Sequence, residues 1–187
     1  MKQVFELEEN AYLEYLPEPT IPCRHTRFIA DTAIRIAPSA TLFYSEVYMS
    51  GRKYFDGGET FQYDILSVCS HAERPDGEQL FREKFIIRPG ACPPGTLGAM
   101  NGYDVFANVI VMTPPEHADR IYEATPAFID RDRRLAAGIT RLPNDAGLLY
   151  KVLGEETGPV KKLIREFCSS VRLEVKGRPL PEEFPWR

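Results

Sequence analysis

Two glutamates occupy strand positions whose alternation turns them inward. In the stretch FREKFII, Phe81, Glu83, Phe85 and Ile87 share one parity, while Arg82, Lys84 and Arg88 take the other. In LFYSEVYM, Glu46 falls on the face of Leu42, Tyr44 and Tyr48. A carboxylate among apolar side chains must pair with a cation, reach water, bind a metal or take up a proton. Three readings are open for the two together. One is an internal salt bridge to an arginine, or an edge position. Another is a general acid/base pair of the glycosidase kind, facing across a cleft. The third is a polar, water-filled passage that lets a divalent cation through.

Other chemistry is sparse. The sequence contains no GxSxG, P-loop, GxGxxG or HExxH motif, and the histidines His25, His71 and His117 are far apart and read as loop or turn-adjacent residues. Cys23-x-His25 could present a thiolate and an imidazole along one extended edge. Two ligands alone make a weak site, however, and two loop residues with separate roles is the simpler reading. Cys23, Cys69, Cys92 and Cys168 show no CxxC spacing, which fits reduced thiols better than a disulfide framework or a zinc knuckle.

Composition bounds the partners. The chain has 187 residues, 43% of them hydrophobic and 27% charged, which suits one globular domain with a sizeable core. Its net charge of −4 and pI near 5.5 give no electrostatic footprint for nucleic acid. No apolar run approaches the roughly 18 residues of a membrane span, and MKQVFELEEN lacks the apolar core of a signal peptide, so the expectation is a cytoplasmic chain with no membrane partner.

The elements that must position the glutamates are mostly strands. RFIADTAIRI (27–36) alternates as a half-buried strand, and TLFYSEVYMSGR follows it after a turn. Residues 61–88 read as a long hairpin about Pro75-Asp76-Gly77. GYDVFANVIVMT is a further strand, and GITRL and GLLYKVL form a second hairpin across residues 143–147. Two helices are predicted: one from near Glu116 that Pro126 ends, and one over GPVKKLIREFCSSVRLEV with Val160, Leu163, Ile164, Phe167 and Val171 as its apolar stripe. LEYLPEPTIP (13–22) reads as a stiff loop after a strand, with Glu14 and Glu18 solvated, and GRPLPEEFPWR with Trp186 as an extended tail.

In order, LEYLPEPTIPCRHTRF, IRIAPSATLFYSEVYMSGR, GGETFQYDIL, LFREKFIIRPG, MNGYDVFANVIVM and LPNDAGLLYKVLG with the last helix resemble the urease accessory protein family UreD, also called UreH. Its pattern includes L-E-(W/Y)-L-P-(Q/E) and an acidic residue five positions before Gly-Arg, as Glu46 stands before Gly51-Arg52. The resemblance covers essentially the whole chain. It implies a mainly β fold of stacked strands in a helical β arrangement, with two α-helices near the C-terminal end. It implies a scaffold rather than an enzyme: a maturation factor that works with UreF and UreG, docks on apo-urease and delivers nickel through an internal tunnel. It further implies that no cofactor is tightly bound, that nickel is in transit, and that the oligomer is the accessory complex itself. Glu46 and Glu83 fall on the family's acidic positions, and the resemblance makes them candidate tunnel carboxylates, where weak oxygen contacts would guide the ion without trapping it.

The chain departs from the pattern in three places. It reads as a single UreD-like domain over residues 1–187 lacking the N-terminal third usual in the family. The spacing between Gly51-Arg52 and Gly58-Glu59 is long, and Cys23 stands where an aromatic is usual.

Overall fold

The computed structural model describes residues 1–96 and 99–181. Strands come first, because the alternating and β-branched runs dominate the sequence up to Met112. They are β1 (Lys2–Leu7), β2 (Tyr12–Tyr15), β3 (Arg27–Ile36), β4 (Thr41–Met49), the two-residue β5 (Gly51–Arg52) and β6 (Glu59–Thr60), β7 (Ile65–Glu73), β8 (Gln79–Ile87) and β9 (Val105–Met112). Helix α1 (Pro115–Glu123) follows, then β10 (Phe128–Asp130), β11 (Leu135–Arg141), β12 (Leu148–Gly154) and the long α2 (Thr157–Lys176). Gly177, in the left-handed conformation with φ 69°, ends α2.

The strands form a four-stranded sheet ordered β1-β3-β7-β8, a six-stranded sheet ordered β10-β11-β12-β9-β4-β2, and the small pair β5-β6. Successive early strands alternate between the two large sheets. β1, β3 and β7 run parallel in one, while β2 and β4 run parallel in the other. The chain thus coils between the sheets, as the helical β arrangement requires. Antiparallel hairpins β7-β8 and β11-β12 complete the architecture. Gly51 joins β4 to β5 at φ 144°, and a Cβ there would lie 1.8 Å from the Glu59 carbonyl oxygen, so only glycine permits this crossing.

Three layers result. α2 lays Val160, Ile164, Phe167, Cys168 and Val171 on the outer face of the six-stranded sheet, against Phe43, Val47, Val109, Tyr150 and Val152. The other face of that sheet packs on the four-stranded sheet through two separate apolar clusters. One joins Ile34, Ala72 and Phe81 to Tyr44, Ile110, Met112 and Leu149. The second joins Ala30, Leu66, Val68 and Phe85 to Tyr48 and Phe106. β4 is therefore covered on both faces, which is why its burial does not alternate.

Several sequence expectations change. His71 lies within β7 and His117 within α1, not in loops. Glu14 is not solvated: its side chain is 10% exposed, held by Arg172 from α2 and by the Tyr12 hydroxyl. The proline-rich loop after β2 is pinned to β4, with the Thr20 amide bonding the Val47 carbonyl and the Met49 amide bonding that of Thr20. β1 and β10 are strands that the sequence patterning does not signal. The tail from 182 onward, with Trp186, lies outside the described residues. Among the described residues no helix is long and apolar enough to cross a membrane.

Candidate functional site

Between the two apolar clusters runs a layer of polar side chains, set by strand register. On the four-stranded sheet Gln3 pairs with Thr32, Thr32 with Ser70, and Ser70 with Glu83, all on the inward face. On the six-stranded sheet Glu46 pairs with Asn108, and Asn108 with Lys151. Because side chains alternate with period two, each row presents its polar groups to the same interlayer space. Thr32, Glu46, Ser70 and Asn108 are all buried.

Hydrogen bonds run along the layer. Gln3 Nε2 donates to the Tyr15 hydroxyl at 2.7 Å, and Thr32 donates to Gln3 Oε1 at 3.2 Å. The Tyr44 hydroxyl lies 3.1 Å from that of Thr32 and donates to Glu46 Oε1 at 2.5 Å. At the far end Lys151 Nζ donates to Glu83 Oε1 at 2.6 Å. The Glu83 side chain is 25% exposed and that of Lys151 54%, so this end meets solvent.

The two glutamates differ in their surroundings. Burial raises the carboxyl of Glu46 above its ordinary range; hydrogen bonds from Tyr44 and Tyr48 work against this, and the nearby charge of Glu83 adds to it. Glu46 forms no ion pair among the described residues. Glu59 is a useful contrast. It too is buried, but Arg52 grips both of its oxygens at 2.7 Å and holds its carboxyl below the usual range. A structural carboxylate in this fold is thus given an arginine, and Glu46 is not.

A cavity of about 600 Å³ opens at the Lys151 end, with Phe85, Phe106, Asn108 and Lys151 in its wall. Neither glutamate lines it, so this cavity does not place Glu46 and Glu83 on opposite sides of a bound sugar. The chemistry available is that of oxygen donors in series: carboxylates, an amide, and serine, threonine and tyrosine hydroxyls. Such donors suit a borderline divalent cation held weakly and partly hydrated.

The structure brings Glu46 and Glu83 into one layer, as their parity implies. For Glu83 the ion-pair reading holds in altered form, since its partner is a lysine from β12 and not an arginine. Sequence reasoning missed Gln3, Thr32, Ser70, Asn108 and Lys151. Each is a polar residue at an inward parity of an otherwise apolar strand, a signal visible only once the strand partners are known. Among the described residues, neither Cys23 nor His25 belongs to a cluster of three or more metal-ligating side chains. Cys23 is exposed, and His25 sits in a left-handed turn at φ 62° with Nδ1 3.5 Å from Asp64.

Comparison with known proteins matches the whole chain, residues 1–187, to the family described as UreD urease accessory protein. The chain is 50% identical over 184 residues to "Urease accessory protein UreD 2" of Brucella suis biovar 1 (strain 1330), covering 98% of this chain and 61% of that protein. It is 47% identical over 191 residues to "Urease accessory protein UreD" of Yersinia enterocolitica, covering 99% of this chain and 59% of the relative. The chain therefore spans about three-fifths of the length of these curated relatives.

Proposed function

The chain belongs to the UreD urease accessory protein family, and from that premise we propose that it acts in urease maturation as a nickel-delivery scaffold. In this reading it works in the cytoplasm with UreF and UreG, forms an oligomeric accessory complex docked on apo-urease, and is not itself an enzyme. Nickel is its cargo and no cofactor is tightly held.

The observation that carries the reading is Glu46, buried between two sheets, its carboxyl raised by that burial and without a cationic partner among the described residues. Stability alone does not account for it, since a buried carboxyl that lacks a salt bridge costs folding energy. A cation moving along the layer would meet Glu83 near solvent, then Asn108 and Glu46, then the Tyr44, Thr32 and Gln3 oxygens. Successive weak contacts let it leave each position.

The test is urease activation in cells that express the accessory proteins with either Glu46→Lys or Glu83→Lys. Activation is expected to fall while the variants still fold and still co-purify with UreF. Full activation by both variants would show that nickel does not use this layer.

A further inference from the structure

The four-stranded sheet carries a second constellation on its opposite, uncovered face, where Val4 is 69%, Ile29 61% and Ile86 48% exposed. There Asp31 of β3 stands directly across from Cys69 of β7. His71, two residues further along β7, projects on the same face, since the strand period is two. One ligand atom from each of the three lies within 4.8 Å of the others. Moreover, His71 Nδ1 is buried, 3.7 Å from Asp31 Oδ1, and has no hydrogen-bond partner among the described residues. A buried ring nitrogen left unpaired is costly, and buried polar atoms are nearly always satisfied.

We propose that Asp31, Cys69 and His71 bind a borderline divalent transition-metal ion of the zinc and nickel class on this face. A thiolate, an imidazole and a carboxylate are the donors such ions prefer, and three protein ligands leave one position open to water. The surroundings narrow the class further. In the cross-strand rows Lys2 stands beside Asp31, Lys84 beside Cys69 and Arg82 beside His71. A hard ion such as magnesium, held mainly by charge, is disfavoured among three cations and one carboxylate. An ion that bonds to sulfur and nitrogen is not excluded by them, because the three basic side chains are exposed and long enough to swing aside. Binding converts the Cys69 thiol to a thiolate and releases its proton.

This site is independent of the interior layer. Ser70, between the two ligands on β7, faces the other way, toward Glu83. The coordinating unit is Cys-x-His on a strand, the same spacing as Cys23-x-His25, but here the backbone is extended and a third ligand comes from the neighbouring strand.

Titration of the purified full chain with cobalt(II) provides the test. Saturable binding of one equivalent with thiolate-to-cobalt absorption is expected, displaced by zinc or nickel. Cys69→Ser should abolish the absorption, while Cys23→Ser, Cys92→Ser and Glu46→Gln should leave it intact. Because Cys69 is buried, His71→Gln and Asp31→Asn, at more exposed positions, decide the matter if the serine variant does not fold, as judged by circular dichroism without metal. Each should weaken binding by roughly 100-fold, since losing even an outer partner of a ligand costs about 10–100-fold. No thiolate absorption, its persistence in folded Cys69→Ser, its loss in Cys23→Ser, or unchanged affinity in His71→Gln and Asp31→Asn would each overturn the assignment.

Discussion

The two faces of the six-stranded sheet are built to different rules. Toward the helices, Phe43, Val47, Val109, Tyr150 and Val152 meet the α2 stripe, and Glu14, on the edge strand of that side, is paired with Arg172 of α2 at 3.1 Å. Toward the other sheet the apolar packing divides into two clusters, with Glu46, Asn108 and Lys151 crossing between them. Both faces come from the same three central strands, so local propensity does not explain the difference. A sheet that can be closed with aliphatic and aromatic side chains on one face could be closed so on the other. The polar layer gives up apolar burial that the fold could have used, which points to a role other than stability.

The contrast predicts where truncation hurts most. Phe167 is 4% exposed, with its ring 4.3 Å from Tyr150 and 5.8 Å from Phe43 between centroids. Phe167→Ala should destabilise the chain by about 3–5 kcal/mol in urea denaturation, through lost burial and the cavity left behind. A cost under about 1 kcal/mol would mean that the helical layer is not the main source of stability, and the contrast between the faces would collapse.

An intermediate effect is expected at Glu46. Its folded carboxyl is raised above the ordinary value it has in the unfolded chain. Below the ordinary value both states are protonated, and the stability of the neutral buried group is fully present. As pH rises through the folded value that stability is lost. Glu46→Gln keeps an acceptor for Tyr44 and Tyr48 but cannot ionise. The variant should therefore gain on the wild type as pH rises from the carboxylate range to neutrality, in thermal melts at matched ionic strength. A gap that is flat with pH, or that runs the other way, would mean that Glu46 is stabilised as an anion and resembles Glu59 after all.

Parity explains both what could be read from the chain and what could not. RFIADTAIRI defines β3 to the residue, and Glu46 and Glu83 were placed inward because their neighbours at even spacing are apolar. Parity also holds for the α2 stripe, where helical period and burial agree. What it lacks is the third dimension. Nothing within FREKFII shows that its edge strand leaves Glu83 partly open, or that Lys151, far along the chain, will reach it. Asn108 sits in VFANVIVM as a lone polar residue, unremarkable until the register sets it between Glu46 and Lys151. Cys69 and His71 carry no metal signature in the sequence, because their third neighbour, Asp31, is brought across by strand pairing. Glu14 read as solvated since α2, which covers it, is more than a hundred residues distant.

The smallest effect should come from the open end of the layer. Lys151 and Glu83 lie 2.6 Å apart with side chains 54% and 25% exposed, so solvent screens their attraction. A double-mutant cycle of Lys151→Gln and Glu83→Gln should give a coupling of about 0–1 kcal/mol, smaller still at high salt. A weak tie suits the proposed passage, because a carboxylate that gives up its lysine at little cost can accept a divalent cation in exchange. A coupling of several kcal/mol, insensitive to salt, would instead make the pair a structural clamp. Glu83 would then join Glu59 among the anchored carboxylates, leaving Glu46 with no second acid on the route to solvent.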